Sequence, residues 1–178
     1  METYDQIRQQ YKPKTIRILL IAESPPPAAN VQSSRHFYRI DRMRIDDRLF
    51  VNTIKTLYPE TVDLKESELE TNKEDWLKKF QTDGYYMIEA LEESQIHEVT
   101  KKQRQGLIKD TLPQILQRVN KLANKDTKII LIKSNVFDVI AEPLRAAGFN
   151  ILNKQLLDYP GRYNQTAYRE KLRKLLKA

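Results

Sequence analysis

The sequence predicts an α/β fold in which helices cover both faces of a parallel sheet. Short, almost wholly apolar segments alternate along the chain with longer segments whose apolar residues recur every three or four positions. The first pattern is typical of strands buried on both faces, and the second is typical of amphipathic helices. Strands that are separated by helical crossovers pair in parallel, and 178 residues suffice for one core. We therefore expect a single domain over residues 1–178.

The elements of the first half follow from apolar spacing and from prolines. The apolar run over residues 18–22 predicts a central strand, and the three prolines that follow force the chain to turn at Glu23. The acidic segment 61–82 is expected to be an exposed insertion that closes with a short helix docking Trp76 and Phe80. The other elements predicted here are a polar helix over 2–11, a helix over 49–58 that stops at Pro59, and a second strand over 84–91 after an Asp-Gly turn.

The second half contains the two remaining predicted strands. A helical pattern runs over residues 101–122, and Pro113 within it should kink the helix or mark a boundary. A short aliphatic run over 128–133 predicts the third strand. The other elements predicted here are a helix over 135–147 capped by Gly148, a fourth strand over 149–152, and a final helix over 165–176.

Polar residues follow each predicted strand at its carboxyl end. Glu23 follows the first strand, Glu89 lies late in the second, Asn135 follows the third, and the loop 159–165 follows the fourth. Because the carboxyl ends of parallel strands converge at one edge of a sheet, these residues should lie close together. Carboxylates, amides, tyrosines and a cation at one edge are suited to holding a planar polar ring and a phosphate.

The composition excludes several kinds of functional site. The chain has no cysteine, which excludes disulfides, thiol catalysis and cysteine zinc sites, and only two histidines, His36 and His97. We therefore expect no metal and no cofactor. The sequence contains no apolar stretch long enough to span a bilayer and no apolar leader, so we expect a soluble, cytoplasmic protein without a membrane partner.

The net charge favours an anionic partner. The chain has 31 basic and 24 acidic residues, which gives a formal net charge of +7. Basic residues are concentrated between Arg35 and Arg48 and again between Arg162 and Lys177. DNA or another nucleic acid is the partner that this distribution suggests, although solubility alone explains such a charge in many proteins.

Four segments, taken in order, resemble the motifs of the uracil-DNA glycosylase superfamily. They are Ile18–Pro26, His36–Arg39, Gly84–Leu91 and Tyr159–Gln165, the last of which precedes a helix rich in Arg and Lys. The closest likeness is to a divergent branch in which a Glu-Ser-Pro-Pro turn and a Phe-Tyr pair replace the usual signatures. The resemblance implies a three-layer α/β/α fold around a four-stranded parallel sheet of order 2-1-3-4.

The resemblance also implies roles for individual residues. In the superfamily, the loop after the first strand positions or activates the attacking water, a downstream aromatic ring stacks on the flipped base, and a polar residue of the second strand reads the base edge. These roles would belong here to Glu23, to Phe37 or Tyr38, and to Glu89. In the superfamily the loop before the last helix enters the minor groove, and the resemblance assigns this role here to residues 159–165. The residues expected to contact nucleic acid are Arg39 and, in this loop, Tyr159, Gly161, Arg162, Tyr163, Asn164 and Gln165.

Two positions depart from the superfamily pattern. The base-reading residue is usually Asn, whereas Glu89 when ionised can only accept hydrogen bonds. The last loop usually supplies a His, and the loop 159–165 has none. A carboxylate at position 89 suits a ring edge that presents N–H donors, such as an amino group of cytosine, adenine or a damaged purine, better than it suits uracil.

The sequence therefore suggests a nucleic-acid base-recognising protein that hydrolyses the N-glycosidic bond of a modified or deaminated base. One alternative is a non-catalytic module of the same fold that binds a nucleotide or nucleic acid. Another is an interaction protein whose acidic segment 61–82 contacts a partner. The fold alone does not decide among them.

Each candidate residue also has a purely structural interpretation. Glu23 could cap a helix or pair with an arginine between positions 35 and 48. Phe37 and Tyr38 could be core residues, and Glu89 could pair with Lys133 or Arg162. His36 and His97 are both expected at the surface. Only their positions in the folded chain separate these interpretations from the functional ones.

Overall fold

A computed structural model describes residues 3–25, 36–40, 47–93 and 99–177 of the chain. Within these ranges four strands form a parallel sheet in the order β2-β1-β3-β4, which confirms the predicted order and direction. The strands are β1 (Ile18–Ala22), β2 (Tyr85–Glu89), β3 (Lys128–Leu131) and β4 (Asn150–Ile151). The expectations for Pro26 and Pro27, for the arginines at 35, 42 and 44, and for His97 lie outside the described residues.

The two central strands are buried on both faces, as their continuous apolar sequences predict. Residues 19–21 of β1 and residues 129–131 of β3 are almost completely inaccessible to solvent. β1 begins beside Gly84, whose carbonyl oxygen accepts hydrogen bonds from the backbone N–H groups of Arg17 and Ile18. Gly84 has a φ of 81°, and a Cβ atom there would lie 2.8 Å from the Arg17 side chain, so glycine is required at this turn.

Eight α-helices are found in the described ranges. Pro113 marks a boundary rather than a kink, because it lies in the first turn of a new helix, where a missing N–H breaks no helical hydrogen bond. The helices are α1 (Tyr4–Gln9), α2 (Arg48–Leu57), α3 (Glu66–Thr71), α4 (Lys73–Thr82), α5 (Lys101–Asp110), α6 (Leu112–Leu122), α7 (Ser134–Ala146) and α8 (Gln165–Leu176), with a 3₁₀ turn at Pro59–Thr61.

The helices flank the sheet, α2 packing on α8 and α5 packing on α7. The acidic segment 61–82 is not the exposed insertion that was expected. It packs on the core, because Leu69, Leu77 and Phe80 are fully buried. Trp76 stacks on Tyr58 with 5.6 Å between ring centroids, so the predicted docking of Trp76 and Phe80 is confirmed. The apolar side of this segment thus forms part of the core, and its acidic residues largely remain outside.

None of the described helices combines the length and the apolarity that crossing a lipid bilayer requires.

Candidate functional site

Two glutamates lie side by side at the carboxyl edge of the sheet. Ala22 at the end of β1 pairs with Glu89 at the end of β2, and Glu23 follows directly. The backbone N–H of Leu91 donates to the carbonyl oxygen of Glu23 at 2.8 Å, which keeps the two chains together beyond the strands. The predicted convergence of strand ends therefore holds for both carboxylates.

Glu23 is buried and is surrounded by donors. Its Oε1 accepts hydrogen bonds from Lys133 Nζ at 2.7 Å and from an Arg104 guanidinium nitrogen at 3.1 Å. Its Oε2 accepts a hydrogen bond from the Asn135 side-chain amide. A carboxylate oxygen can accept two hydrogen bonds, so within the described residues Oε2 keeps one acceptor position for a water or a ligand N–H. We call Glu23, Arg104, Lys133 and Asn135 the Glu23 cluster.

The turn from β3 into α7 shapes this cluster. Lys133 has a φ of 81°, which is rare for a residue with a side chain, and its backbone N–H donates to the carbonyl oxygen of Leu157 at 2.8 Å. Asn135 lies in the first turn of α7. Its Oδ1 is buried and accepts no hydrogen bond within the described part of the chain. The Glu23 cluster thus contains an amide acceptor that a donor could satisfy.

Glu89 is buried to the same extent as Glu23, and its partners Arg8 and His36 are buried as well. Its Oε2 accepts a hydrogen bond from Arg8 of α1, and its Oε1 accepts one from His36 Nε2 at 2.8 Å. Burial by itself would raise the pKa of Glu89, but His36 and Arg8 outweigh this effect and hold the pKa below its ordinary value of 4.5. The expected pairing of Glu89 with Lys133 or Arg162 is wrong. Both oxygens of Glu89 bond to Arg8 and His36, and Lys133 bonds to Glu23 instead. We call Arg8, His36 and Glu89 the Glu89 cluster.

The Phe-Tyr pair lies in the core. Phe37 and Tyr38 are 3% and 1% exposed, and their rings contact Phe80. The Tyr38 hydroxyl accepts a hydrogen bond from the backbone N–H of Met87 at 2.7 Å, which satisfies a donor of the edge strand β2. A base could stack on either ring only if this aromatic cluster opened. The structure shows that Phe37 and Tyr38 pack in the core, and base stacking by either ring stays a prediction.

The loop before α8 is exposed and begins at the same edge as the two glutamates. Leu157, which bonds to Lys133, precedes it, and an isolated parallel bridge joins Leu157 to Ile132. Tyr163 is 89% exposed, and the Arg162 guanidinium lies 5.7 Å from its ring centroid. Of the other predicted contact residues, Tyr159 and Asn164 are exposed, Gly161, Gln165 and Arg39 are partly exposed, and Gln165 accepts a hydrogen bond from Asn52.

The sequence did not point to several partners of the glutamates. Arg8 shares a face of α1 with Tyr4 and Ile7, and Arg104 shares a face of α5 with the buried Ile108. Helical spacing to buried residues was therefore the available signal for both arginines. His36 was expected at the surface and is fully buried, which is a correction, and a single histidine in an irregular segment gives no comparable signal.

Within the described ranges, no group of three or more His, Asp and Glu side chains is arranged to hold a metal ion. The donors around Glu23 are cations and an amide, which suit an anion or a neutral hydrogen-bonding ligand rather than a metal.

Comparison with protein-family models, with curated proteins and with solved structures finds no match to this chain. The resemblance to the uracil-DNA glycosylase superfamily therefore stays a prediction from the sequence motifs.

Proposed function

We propose that this chain is a nucleic-acid base-recognising protein with a uracil-DNA glycosylase-like fold, and that the loop Tyr159–Gln165 contacts the nucleic acid. The observation that carries the proposal is the exposed Tyr163 ring, with Arg162 beside it, in a loop that starts at the carboxyl edge of the sheet. An exposed aromatic ring next to a guanidinium provides a stacking surface for a base and a cation for the adjacent phosphate.

The position of this loop adds support. Ligands of open α/β sheets bind at the carboxyl ends of the strands, where Glu23 and Glu89 also lie. The strand order 2-1-3-4 agrees with the one that the superfamily resemblance implies. The net charge of +7 favours association with a polyanion.

Binding through the loop is tested by replacing its two exposed side chains separately. Tyr163→Ala should weaken the binding of a short single-stranded oligonucleotide by about tenfold, because stacking of one base contributes about 1–3 kcal/mol. Arg162→Ala should weaken it and also lower the dependence of affinity on salt. Fluorescence anisotropy at several salt concentrations measures both effects.

Lys125→Ala is the matched control, because Lys125 is exposed in the turn before β3, at the opposite edge of the sheet. It removes one charge and should change the affinity by less than about twofold. Equal affinities for the native protein, Tyr163→Ala and Lys125→Ala would exclude the loop as the contact surface.

A second candidate function is hydrolysis of an N-glycosidic bond. It is favoured by the acceptor position left on Glu23 Oε2 and by the unsatisfied Oδ1 of Asn135 beside it. In such a reaction the sugar gains positive charge, which a carboxylate stabilises, while the leaving base gains negative charge, which a nearby cation such as Lys133 or Arg104 would offset. Two neighbouring acceptors also suit a water or a ring amino group better than they suit a carbonyl oxygen.

Glu23→Gln separates the enzyme from the binding module. The amide keeps the shape of the side chain and removes its charge, so base release from a panel of damaged and deaminated oligonucleotides should disappear while oligonucleotide affinity persists. If the native protein releases no base from any member of the panel and still binds in a salt-sensitive manner, the non-catalytic module is the correct function.

A further inference from the structure

A cavity beside α8 shares no residue with the Glu23 cluster or the Glu89 cluster. It has a volume of about 210 Å³ and lies between α8, α2 and the chain that follows the 3₁₀ turn. Its walls carry three cations and a single carboxylate, so the lining has a net positive charge. The lining residues are Lys55, Val62, Thr166, Arg169, Glu170 and Arg173.

Two of the cations are held in place by neighbours. Lys55 Nζ donates to the carbonyl oxygens of Val62 at 3.1 Å and Leu64 at 2.6 Å. An ammonium has three donors, so within the described residues the third remains for a ligand. Arg169 donates to the Oδ1 of Asn52, which is fully buried. Because these contacts fix the side chains before a ligand arrives, less conformational entropy is lost on binding.

Asn52 also connects the cavity to the loop before α8. Its side-chain amide donates to Gln165 Oε1 at 3.1 Å, while its Oδ1 accepts from Arg169. Arg162, Thr166, Arg169 and Arg173 are separated by three or four positions, which places the helical members on one face of α8. Thr166 and Arg173 lie about 10 Å apart along the helix axis. The last residue of the loop and a cation of the cavity therefore share Asn52 as a neighbour, and the cavity follows the loop directly along α8.

We propose that this cavity binds a backbone phosphate of the nucleic acid that the Tyr159–Gln165 loop contacts. The inference deepens the proposed function and depends on it. Guanidinium groups match the oxygens of a phosphodiester, the free Lys55 donor adds charge, and the Thr166 hydroxyl can donate to a third oxygen. The Glu170 carboxylate in the same cavity repels an anion and therefore keeps the affinity for a single phosphate modest.

The sharpest test changes the charge of the cavity in both directions. Arg173 is exposed and forms no ion pair within the described ranges, so Arg173→Ala should fold normally. It should weaken binding of a short oligothymidylate by about tenfold and lower the salt dependence by about one phosphate contact. Glu170→Gln should tighten binding by about threefold. Lys174→Ala, an exposed cation on α8 outside the cavity, is the control and should change the affinity by less than about twofold.

Inorganic phosphate distinguishes a backbone phosphate from a free one. We expect it to bind the native protein weakly, to compete with the oligonucleotide, and to bind less well to Arg173→Ala, as measured by calorimetry. Equal losses for Arg173→Ala and Lys174→Ala, with Tyr163→Ala still impaired, would overturn the cavity proposal and leave the proposed function standing. Binding of inorganic phosphate without any binding of oligonucleotide would overturn both.

Discussion

The Glu23 cluster and the Glu89 cluster occupy equivalent places in the sheet and differ in their access to solvent. Both carboxylates end neighbouring parallel strands, and both are paired with cations. The Glu89 partners Arg8 and His36 have side chains that are 3% and 0% exposed. The Glu23 partners Arg104 and Lys133 are 21% and 37% exposed. One cluster is closed, and the other reaches the surface.

From this difference we expect the two carboxylates to contribute differently to stability and to ligand binding. A charge with wholly buried partners has lost its hydration and holds the structure together, since α1 and His36 are attached to the sheet through it. A charge whose partners reach solvent can exchange them for a ligand at lower cost. Position at the strand ends is thus insufficient to identify a functional carboxylate, and the exposure of its partners is the better criterion.

Glu89→Gln should have the largest effect on stability. It removes the buried counter-charge of Arg8 and leaves that guanidinium paired with the largely exposed Asp5, so the free energy of unfolding should fall by about 3–5 kcal/mol. Urea denaturation measures the change. Glu92→Gln is the control, because Glu92 is an exposed partner of Arg118 and should contribute less than about 0.5 kcal/mol. If Glu89→Gln and Glu92→Gln both lowered the free energy of unfolding by a similar small amount, the Glu89 cluster would not be a closed, stabilising cluster.

Tyr38→Phe should have the next largest effect. The variant keeps the ring and removes the hydroxyl that accepts from Met87 N–H, which leaves a buried donor unsatisfied and costs about 1–3 kcal/mol. Tyr11→Phe is the control, because Tyr11 stacks on Tyr38 and its hydroxyl has no hydrogen bond within the described residues. Thermal unfolding of both variants compares them, and equal melting temperatures would count against a structural role for the Tyr38 hydroxyl.

Glu23→Gln should destabilise the fold less than Glu89→Gln does. Arg104 and Lys133 can be hydrated when the carboxylate charge is removed, so we expect a loss of about 1–2 kcal/mol. The same urea titration measures it. A loss as large as that of Glu89→Gln would remove the distinction between the open and the closed cluster.

Acid pH should reduce the contribution of the Glu89 cluster. The pKa of Glu89 is lowered in the folded state, so its stabilisation is fully present above the ordinary pKa of 4.5 and is lost as the pH falls through the folded-state pKa. The stability difference between native protein and Glu89→Gln should therefore be constant near neutrality and shrink below about pH 4.5. Denaturation at several pH values checks this, and a difference that grows on acidification would show the opposite sign of shift.

More of the fold than of the candidate site could be predicted from the sequence. Local signals indicate where the elements lie, and the structure has elements at these places. The signals are the continuous apolar runs in β1 and β3 and the turns or helix boundaries marked by Pro59, Pro113 and Gly84. Strand order came from the motif resemblance. Glu23 and Glu89 were placed at the correct edge because topology alone determines where strands end.

The ion pairs could not be predicted because they join distant parts of the chain. Arg8 and Glu89 are 81 positions apart, as are Glu23 and Arg104. No local pattern encodes which cation reaches which carboxylate, since that depends on how α1 and α5 dock on the sheet. The burial of His36, Tyr38 and Phe37 also depends on contacts with distant elements. Tyr4 of α1 contacts His36, Tyr11 contacts Tyr38, and the rings of Phe50 in α2 and Phe80 in α4 contact Phe37.

The left-handed backbone at Lys133 has a consequence for how this chain can change. Such a conformation costs a residue with a side chain about 1–3 kcal/mol, and glycine would adopt it without strain. Glycine, however, would remove the ammonium group that bonds to Glu23. A variant selected only for heat resistance would favour glycine at this position, whereas a variant selected for what the edge of the sheet does would keep lysine. Substitution patterns at position 133 would therefore reveal which pressure has acted on this protein.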